Sequence, residues 1–201
     1  MDKRKLHHQF KFIKKVRAQY FLFAAIFFLA LGIIGLRENN LQMIELREQV
    51  HIADEKGTDI EKPLRELRQY VHTHMNTDLS SGNVSIKPPV QLKHRYERLL
   101  EQERQRVSKV NQNVNEQGEQ ECARKFPGSG LNASRVNCVA EYTRVNTVDP
   151  KQIPSELYKF DFVSPVWSPD FAGLNLLASL VFFATFIIRL ILGWWYKREL
   201  N

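Results

Sequence analysis

Cysteine is scarce in this chain of 201 residues: there are two, Cys122 and Cys138. So few exclude a disulfide-dense scaffold and a four-cysteine metal site. The phosphate-cradling G-x-x-x-x-G-K, the nucleophile elbow G-x-S-x-G, the zinc-helix H-E-x-x-H and the EF-hand calcium loop are also missing. The six histidines do not replace them. His7 and His8 sit in a basic leader, His51 and His94 stand alone, and His72 and His74 are two apart, which on a helix points them to different faces. Carboxylates are plentiful but alternate with Lys and Arg, as in Glu97, Arg98, Glu101 and Arg104, which describes solvated helix faces. The expectation is a chain that is not an enzyme, with no catalytic residue, no cofactor and no metal ligand.

Charge is the other thing missing, in two places. Tyr20–Leu36 is 17 residues without a charged side chain, and Phe171–Trp195 is 25 residues with one, Arg189. Apolar runs of roughly 17–25 residues match a ~30 Å hydrocarbon core. They exclude an ordinary soluble domain, although the mean hydropathy of the whole chain is slightly negative.

The formal net charge of +7 divides unevenly: +6 over residues 1–17, −1 over 37–172 and +2 over 189–201. The excess lies on the outer flanks of the two runs, as the positive-inside rule places it for two spans with both termini cytoplasmic. Nucleic-acid binding is not expected, since a binder concentrates basic charge on its folded domain. The first run exceeds the usual 7–15 residues of a signal-peptide core. Ala30-Leu31-Gly32 offers small residues at cleavage-site spacing, but the run leads directly into another helical pattern. An uncleaved signal anchor is therefore expected.

This gives a mainly α membrane protein in which two transmembrane helices frame an extracytoplasmic helical-bundle ectodomain with one Pro-rich extended segment. The expected divisions are a basic leader (1–17), span one (18–36), helical ectodomain (37–142), extended Pro/aromatic segment (143–170), span two (171–195) and a cytoplasmic tail (196–201).

Within the ectodomain, Met43, Leu46, Val50 and Ala53 recur at helical spacing, and Gly57 ends that helix. Thr58 and Glu61 fit a capping box for a second helix with Ile60, Leu64, Leu67, Val71 and Met75 on one face. Residues 76–89 are turn formers and read as a mobile loop. Leu92, Tyr96, Leu99, Val107, Val110 and Val114 mark a third helix, whose stripe is interrupted at Glu103. Its polar far end projects beyond the core or pairs with another subunit. Gly32 and Gly35 are three apart, which is not the four-residue small-residue spacing, so span one reads as a lipid-facing anchor.

Beyond Glu119 the pattern weakens. Cys122 and Cys138 bracket a reversal at Phe126-Pro127-Gly128-Ser129-Gly130, and a non-cytoplasmic location would let them pair. The bridge would close a loop of about 15 residues, worth roughly 3 kcal/mol in the chain-entropy account. Tyr158, Phe160 and Phe162 alternate in an extended segment whose prolines confine any strand to an edge. Asn83-Val84-Ser85 and Asn132-Ala133-Ser134 are glycosylation sequons, meaningful only in a host that glycosylates.

Ser168 is placed to cap the second span, with Pro169 at its first helical position. The expected membrane anchors are Arg17 before span one, Trp167 at the outer interface, and Arg189, Trp194, Trp195, Lys197 and Arg198 toward the inner one. Arg189 has two readings. An intramembrane charge marks a functional site by default, and this one also lies about 12 Å of helix from Lys197, within snorkelling reach of the cytoplasmic face.

Two stretches, Leu67-Arg68-Gln69-Tyr70-Val71-His72-Thr73-His74-Met75-Asn76 and Phe160-Asp161-Phe162-Val163-Ser164-Pro165-Val166-Trp167-Ser168-Pro169-Asp170, together with the spans, resemble two-pass envelope proteins of small-genome candidate-phylum bacteria. That family has no established activity, so the resemblance implies no functional residues. The layout is also similar to input modules of bacterial transmembrane receptors, but with five residues after Tyr196 no effector is expected to follow. The first expectation is a scaffold or accessory subunit of an envelope complex, whose partners are membrane lipid and either another protein or further copies of itself. The alternatives are a ligand sensor that signals through a separate partner, and a transport accessory with Arg189 at a pore.

Overall fold

The computed structural model describes residues 17–80, 89–128 and 132–200. The basic leader before Arg17, the Asn83 sequon and the centre of the Gly128–Gly130 reversal lie outside them. Among the described residues the fold is mainly helical: α1 (Ala18–Lys56), α2 (Glu61–Thr73), α3 (Lys93–Lys125), α4 (Ala133–Asn146) and α5 (Phe171–Leu200). Two short strands, β1 (Val90–Gln91) and β2 (Lys159–Phe160), pair antiparallel, with Val90 opposite Phe160. The chain divides into two compact units. One comprises Met1–Ala53, Asp59–Pro89 and Asp161–Asn201, the other Asp54–Thr58 and Val90–Phe160.

The first unit is organised by a single stripe along α1. Ala25, Gly32, Gly35, Asn39, Met43, Val50 and Ala53 are buried, at intervals that keep them on one face of a helix. The N-terminal half of that stripe meets α5, which runs antiparallel to α1. The Ser179 hydroxyl donates to the Ala25 carbonyl (2.9 Å), and Phe28 stacks on Phe182 with ring centroids 5.4 Å apart. A Cβ on Gly32 would lie 2.7 Å from Leu176 Cδ2, and one on Gly35 2.9 Å from Ala172 Cα. Gly32 and Gly35 therefore serve a close approach between the two apolar helices of one chain. This corrects the expectation that span one merely faces lipid.

The C-terminal half of the stripe (Met43, Val50, Ala53) joins Ile60, Leu64, Leu67, Val71, Leu79 and Phe162 in the unit's remaining apolar core. Gly57, at φ +64°, takes the left-handed conformation that ends α1, as its position predicts. The α2 N-cap falls at Ile60, two residues later than expected and without a side-chain bond of its own, and Asp59 Oδ1 just before it accepts the Glu61 N–H at 3.0 Å. The stretch after α2 is tied down as far as it is described. The Thr77 hydroxyl donates to the carbonyls of His74 (2.7 Å) and Val71 (3.3 Å), and the Leu79 N–H donates to the Phe162 carbonyl (2.8 Å).

In the second unit α3 and α4 form an antiparallel hairpin. A Cβ on Gly118 would stand 2.9 Å from the Tyr142 ring, and the Thr143 hydroxyl donates to Asn115 Oδ1 (3.1 Å). The Cys122 and Cys138 sulfurs are bonded at 2.03 Å across this hairpin, in keeping with the pairing read from the sequence. Helix α4 itself was not anticipated. It begins at Asn132, whose side chain accepts the Ser134 N–H (3.0 Å), and it continues to Asn146, past the boundary expected at residue 142.

The interruption at Glu103 also has a use. Its carboxylate takes two bonds from Arg106 (2.7 and 2.8 Å) and the Lys151 backbone N–H (2.7 Å). Two turns on, the Asn111 amide donates to the Val148 carbonyl (3.2 Å) and accepts the Val148 N–H (2.9 Å). Polar side chains of α3 thus satisfy the backbone of a proline-bearing segment that no strand accompanies there.

Candidate functional site: the junction at the ends of the two apolar runs

Two helices, Ala18–Lys56 and Phe171–Arg198, are long and apolar enough to cross a membrane. Only 17% and 6% of their most apolar windows are buried, whereas the core helix of a soluble protein would be mostly buried. Leu, Ile, Phe and Val side chains point outward along both, in the arrangement that lipid solvates. Between them an open groove of about 410 Å³ runs past Leu22, Ile26, Leu180 and Phe183.

The most specific polar geometry lies just beyond the charge-free runs. Asn39 is three residues past Leu36 and 8% exposed, too buried to leave its amide unbonded. Its Nδ2 donates to Asp170 Oδ2 (2.5 Å) and approaches the Met75 carbonyl at 3.5 Å. Asp170 Oδ1 accepts the Gly173 N–H (2.8 Å), so Asp170 is the N-cap of α5. Ser168 was expected in that role. Its hydroxyl instead accepts the Met75 N–H (3.1 Å) and bonds the Asp170 carboxylate. One carboxylate thereby gathers α1, the end of α2 and the start of α5.

Gly173 makes the gathering possible. A Cβ there would fall 1.8 Å from the Ser168 carbonyl oxygen, a backbone atom that cannot give way. The Trp167 indole N–H donates to the Gly173 carbonyl (3.1 Å), which folds the ring back against the first turn of α5. Trp167 was expected at an interface for its amphipathic ring, but the glycine that receives it was not identified from the sequence. A glycine three residues into a capped helix was the available signal.

Electrostatics follow the same arrangement. Burial pushes the Asp170 carboxyl up, but the Gly173 N–H, the Asn39 amide, the Ser168 hydroxyl and the charge of His74 together hold it below its ordinary value. Burial and the negative charges of Asp170 and Glu38 raise the Tyr70 hydroxyl. The Tyr70 and His74 rings stack at 4.0 Å, and His74 Nδ1 lies 3.1 Å from the Tyr70 carbonyl. These groups hold helix ends together, and each polar contact replaces one that a bare helix terminus would seek from water.

A second junction lies at the far end of α1. Asp54, 2% exposed, accepts the backbone N–H groups of His94 (2.9 Å) and Arg95 (2.7 Å) at the start of α3, and it pairs with Arg98 (3.0 Å). A carboxylate at a helix N-terminus meets both its free donors and its dipole. The sequence reading had not singled out Asp54.

Of the other expected anchors, Arg17 is exposed and its carbonyl accepts the Tyr20 N–H as α1 begins (3.2 Å). Arg189 is half-buried on α5. Trp194 is exposed with the Arg198 guanidinium 5.6 Å from its ring centroid, Trp195 packs edge-on to Tyr196, and Lys197 is exposed. Among the described residues no group of three or more His, Cys, Asp or Glu is placed to hold a metal ion. A scan of protein-family models and searches among curated proteins and solved structures found nothing that matches the chain.

Proposed function

We propose that this chain is a two-pass membrane protein with both termini cytoplasmic, serving without catalysis as a scaffold or accessory subunit of a cell-envelope complex. The observation that carries the proposal is the character of α4. It buries none of its residues within the chain, yet a disulfide and a helix hairpin hold it in place. Val136 and Val145 stand 47% and 64% exposed on it. Nine positions apart, the two lie on opposite sides of the helix, so a helix fixed but unburied is open to another protein around its girth. The span contacts support an uncleaved first helix, since removing it would strip α5 of the partner that Ser179, Leu176 and Ala172 meet. The disulfide and the basic outer flanks support an extracytoplasmic ectodomain.

The test is the native mass of gently solubilised protein. The expected result is a defined stoichiometric assembly that dissociates in Val136→Arg/Val145→Arg protein while the ectodomain keeps its melting temperature. A monomer, or an assembly indifferent to both substitutions, would overturn the reading. A mature N-terminus beginning after Gly32 would overturn the two-pass topology.

A further inference from the structure

We infer that Val163–Trp167 is a foot lying in the lipid–water interface, with its partner the glycerol and upper acyl region of the bilayer. The inference rests on the proposal that α1 and α5 are membrane spans. The segment from Phe162 to Pro169 carries no charged residue, although Asp161 and Asp170 flank it. Both ends are fastened. Phe162 is buried and its carbonyl accepts the Leu79 N–H, while Ser168, 2% exposed, is bonded to Met75. Pro165 stiffens what lies between by fixing φ.

Despite this fastening, the apolar side chains between the two ends turn outward. Val166 is 96% exposed and Val163 58%. A loop bonded at both ends has no evident reason to present valine to water, where each buried Å² would return ~25 cal/mol.

Its level relative to the spans identifies the occupant. Asp170 bonds Asn39, so the foot begins at the height where α1 emerges from its charge-free run. The Trp167 ring reaches back to the Gly173 carbonyl, inside the second apolar run, with its N–H satisfied and its body apolar. That combination suits the headgroup boundary. The exposed apolar residues also carry on in sequence into α5, with Trp167 48%, Phe171 60% and Leu174 54% exposed.

The experiment uses full-length protein in phosphatidylcholine vesicles whose acyl chains carry bromine either near the glycerol or near the terminal methyl. With Trp167, Trp194 and Trp195 replaced by Phe, two reporters are compared, Val166→Trp at the tip and Leu180→Trp within α5. Val166→Trp should lose most of its emission to the shallow bromines and little to aqueous iodide, while Leu180→Trp is quenched by the deep ones. If Val166→Trp answers to iodide and not to lipid while Leu180→Trp is still quenched, the foot is refuted and the spans stand. A protein-covered tip, silent to both quenchers, refutes it equally. If neither reporter senses bromine, the membrane reading itself fails. Native Trp167, kept in Trp194→Phe/Trp195→Phe protein, is the second reporter should its replacement disturb the loop, and it must show the same shallow quenching.

Discussion

The two halves of the α1 stripe solve one packing problem in opposite ways. Toward the N-terminus the buried positions are Ala25, Gly32 and Gly35; toward the C-terminus they are Met43 and Val50. In hydrocarbon there is no hydrophobic gain from bringing apolar side chains together, so association comes from close backbone approach and small residues permit it. Outside hydrocarbon, each large side chain removed from water contributes about 1.5–3 kcal/mol, and bulk is favoured. With α1 and α5 as membrane spans, as proposed, the residue sizes along one continuous helix change where the solvent changes. Asn39, bonded to Asp170, stands at the changeover.

If that is right, the two halves respond oppositely to a change in side-chain volume. The largest effect is expected from truncation on the water side. Leu67 is fully buried opposite solvent-facing positions of α2, and Leu67→Ala should cost about 2–5 kcal/mol through lost transfer energy and a residual cavity. Chemical denaturation of detergent-solubilised protein would measure it. A loss well under 1 kcal/mol would mean that this core is not the source of the unit's stability.

On the membrane side enlargement is the damaging change. Gly35→Leu would drive its side chain into Ala172 and Phe171, and overpacking of this kind costs typically about 1–3 kcal/mol. The expected readout is weaker energy transfer between probes on α1 and α5, with the denaturation midpoint of the core around Leu67 little changed. Equal loosening of both would show that the two halves are not separable. Ser179→Ala removes a bond to the Ala25 carbonyl at hydrocarbon depth and should cost only about 0.6 kcal/mol, the average found for such contacts between membrane helices.

Which features could be read from sequence follows from the same division. The two long apolar helices were legible because their runs hold a single charge, Arg189, and the C-terminal stripe because Met43, Val50, Leu64 and Leu67 recur at helical period. Gly57 and the cysteine pair were legible because backbone sign and redox chemistry depend little on context. Helix α4 was not, since a helix that buries none of its residues leaves no apolar period to find. The partners of Gly32 and Gly35 were hidden because their three-residue spacing fits no standard small-residue motif, and only the antiparallel path of α5 gives it meaning. Glu103 looked like a fault in a stripe because its use depends on Lys151, 48 residues away.

Glu103 also gives the gentlest test, one that reaches only contacts in water. Bonds from the Arg106 side chain, then from the Lys151 N–H, pull its carboxyl down to about 2 from an ordinary 4.5. The folded chain therefore binds fewer protons than the unfolded chain between those values. The stability that Glu103 lends is fully present above pH 4.5 and drains away as pH falls toward 2. Glu103→Gln should flatten that part of the acid-denaturation curve of the α3–α4 unit. The Ser179–Ala25 bond between the spans has no titrating partner, but the Asn39–Asp170 contact does, so energy transfer across the α1–α5 pair should hold steady over the same window in Asp170→Asn protein. The Arg106 partner of Glu103 is open to solvent, which screens the pair and makes its effect the smallest of the four. If the spans of Asp170→Asn protein loosened at the same pH as the Glu103 contacts, acid-sensitive contacts in water would reach the spans by another route, and the division between a lipid-packed and a water-packed half would fail.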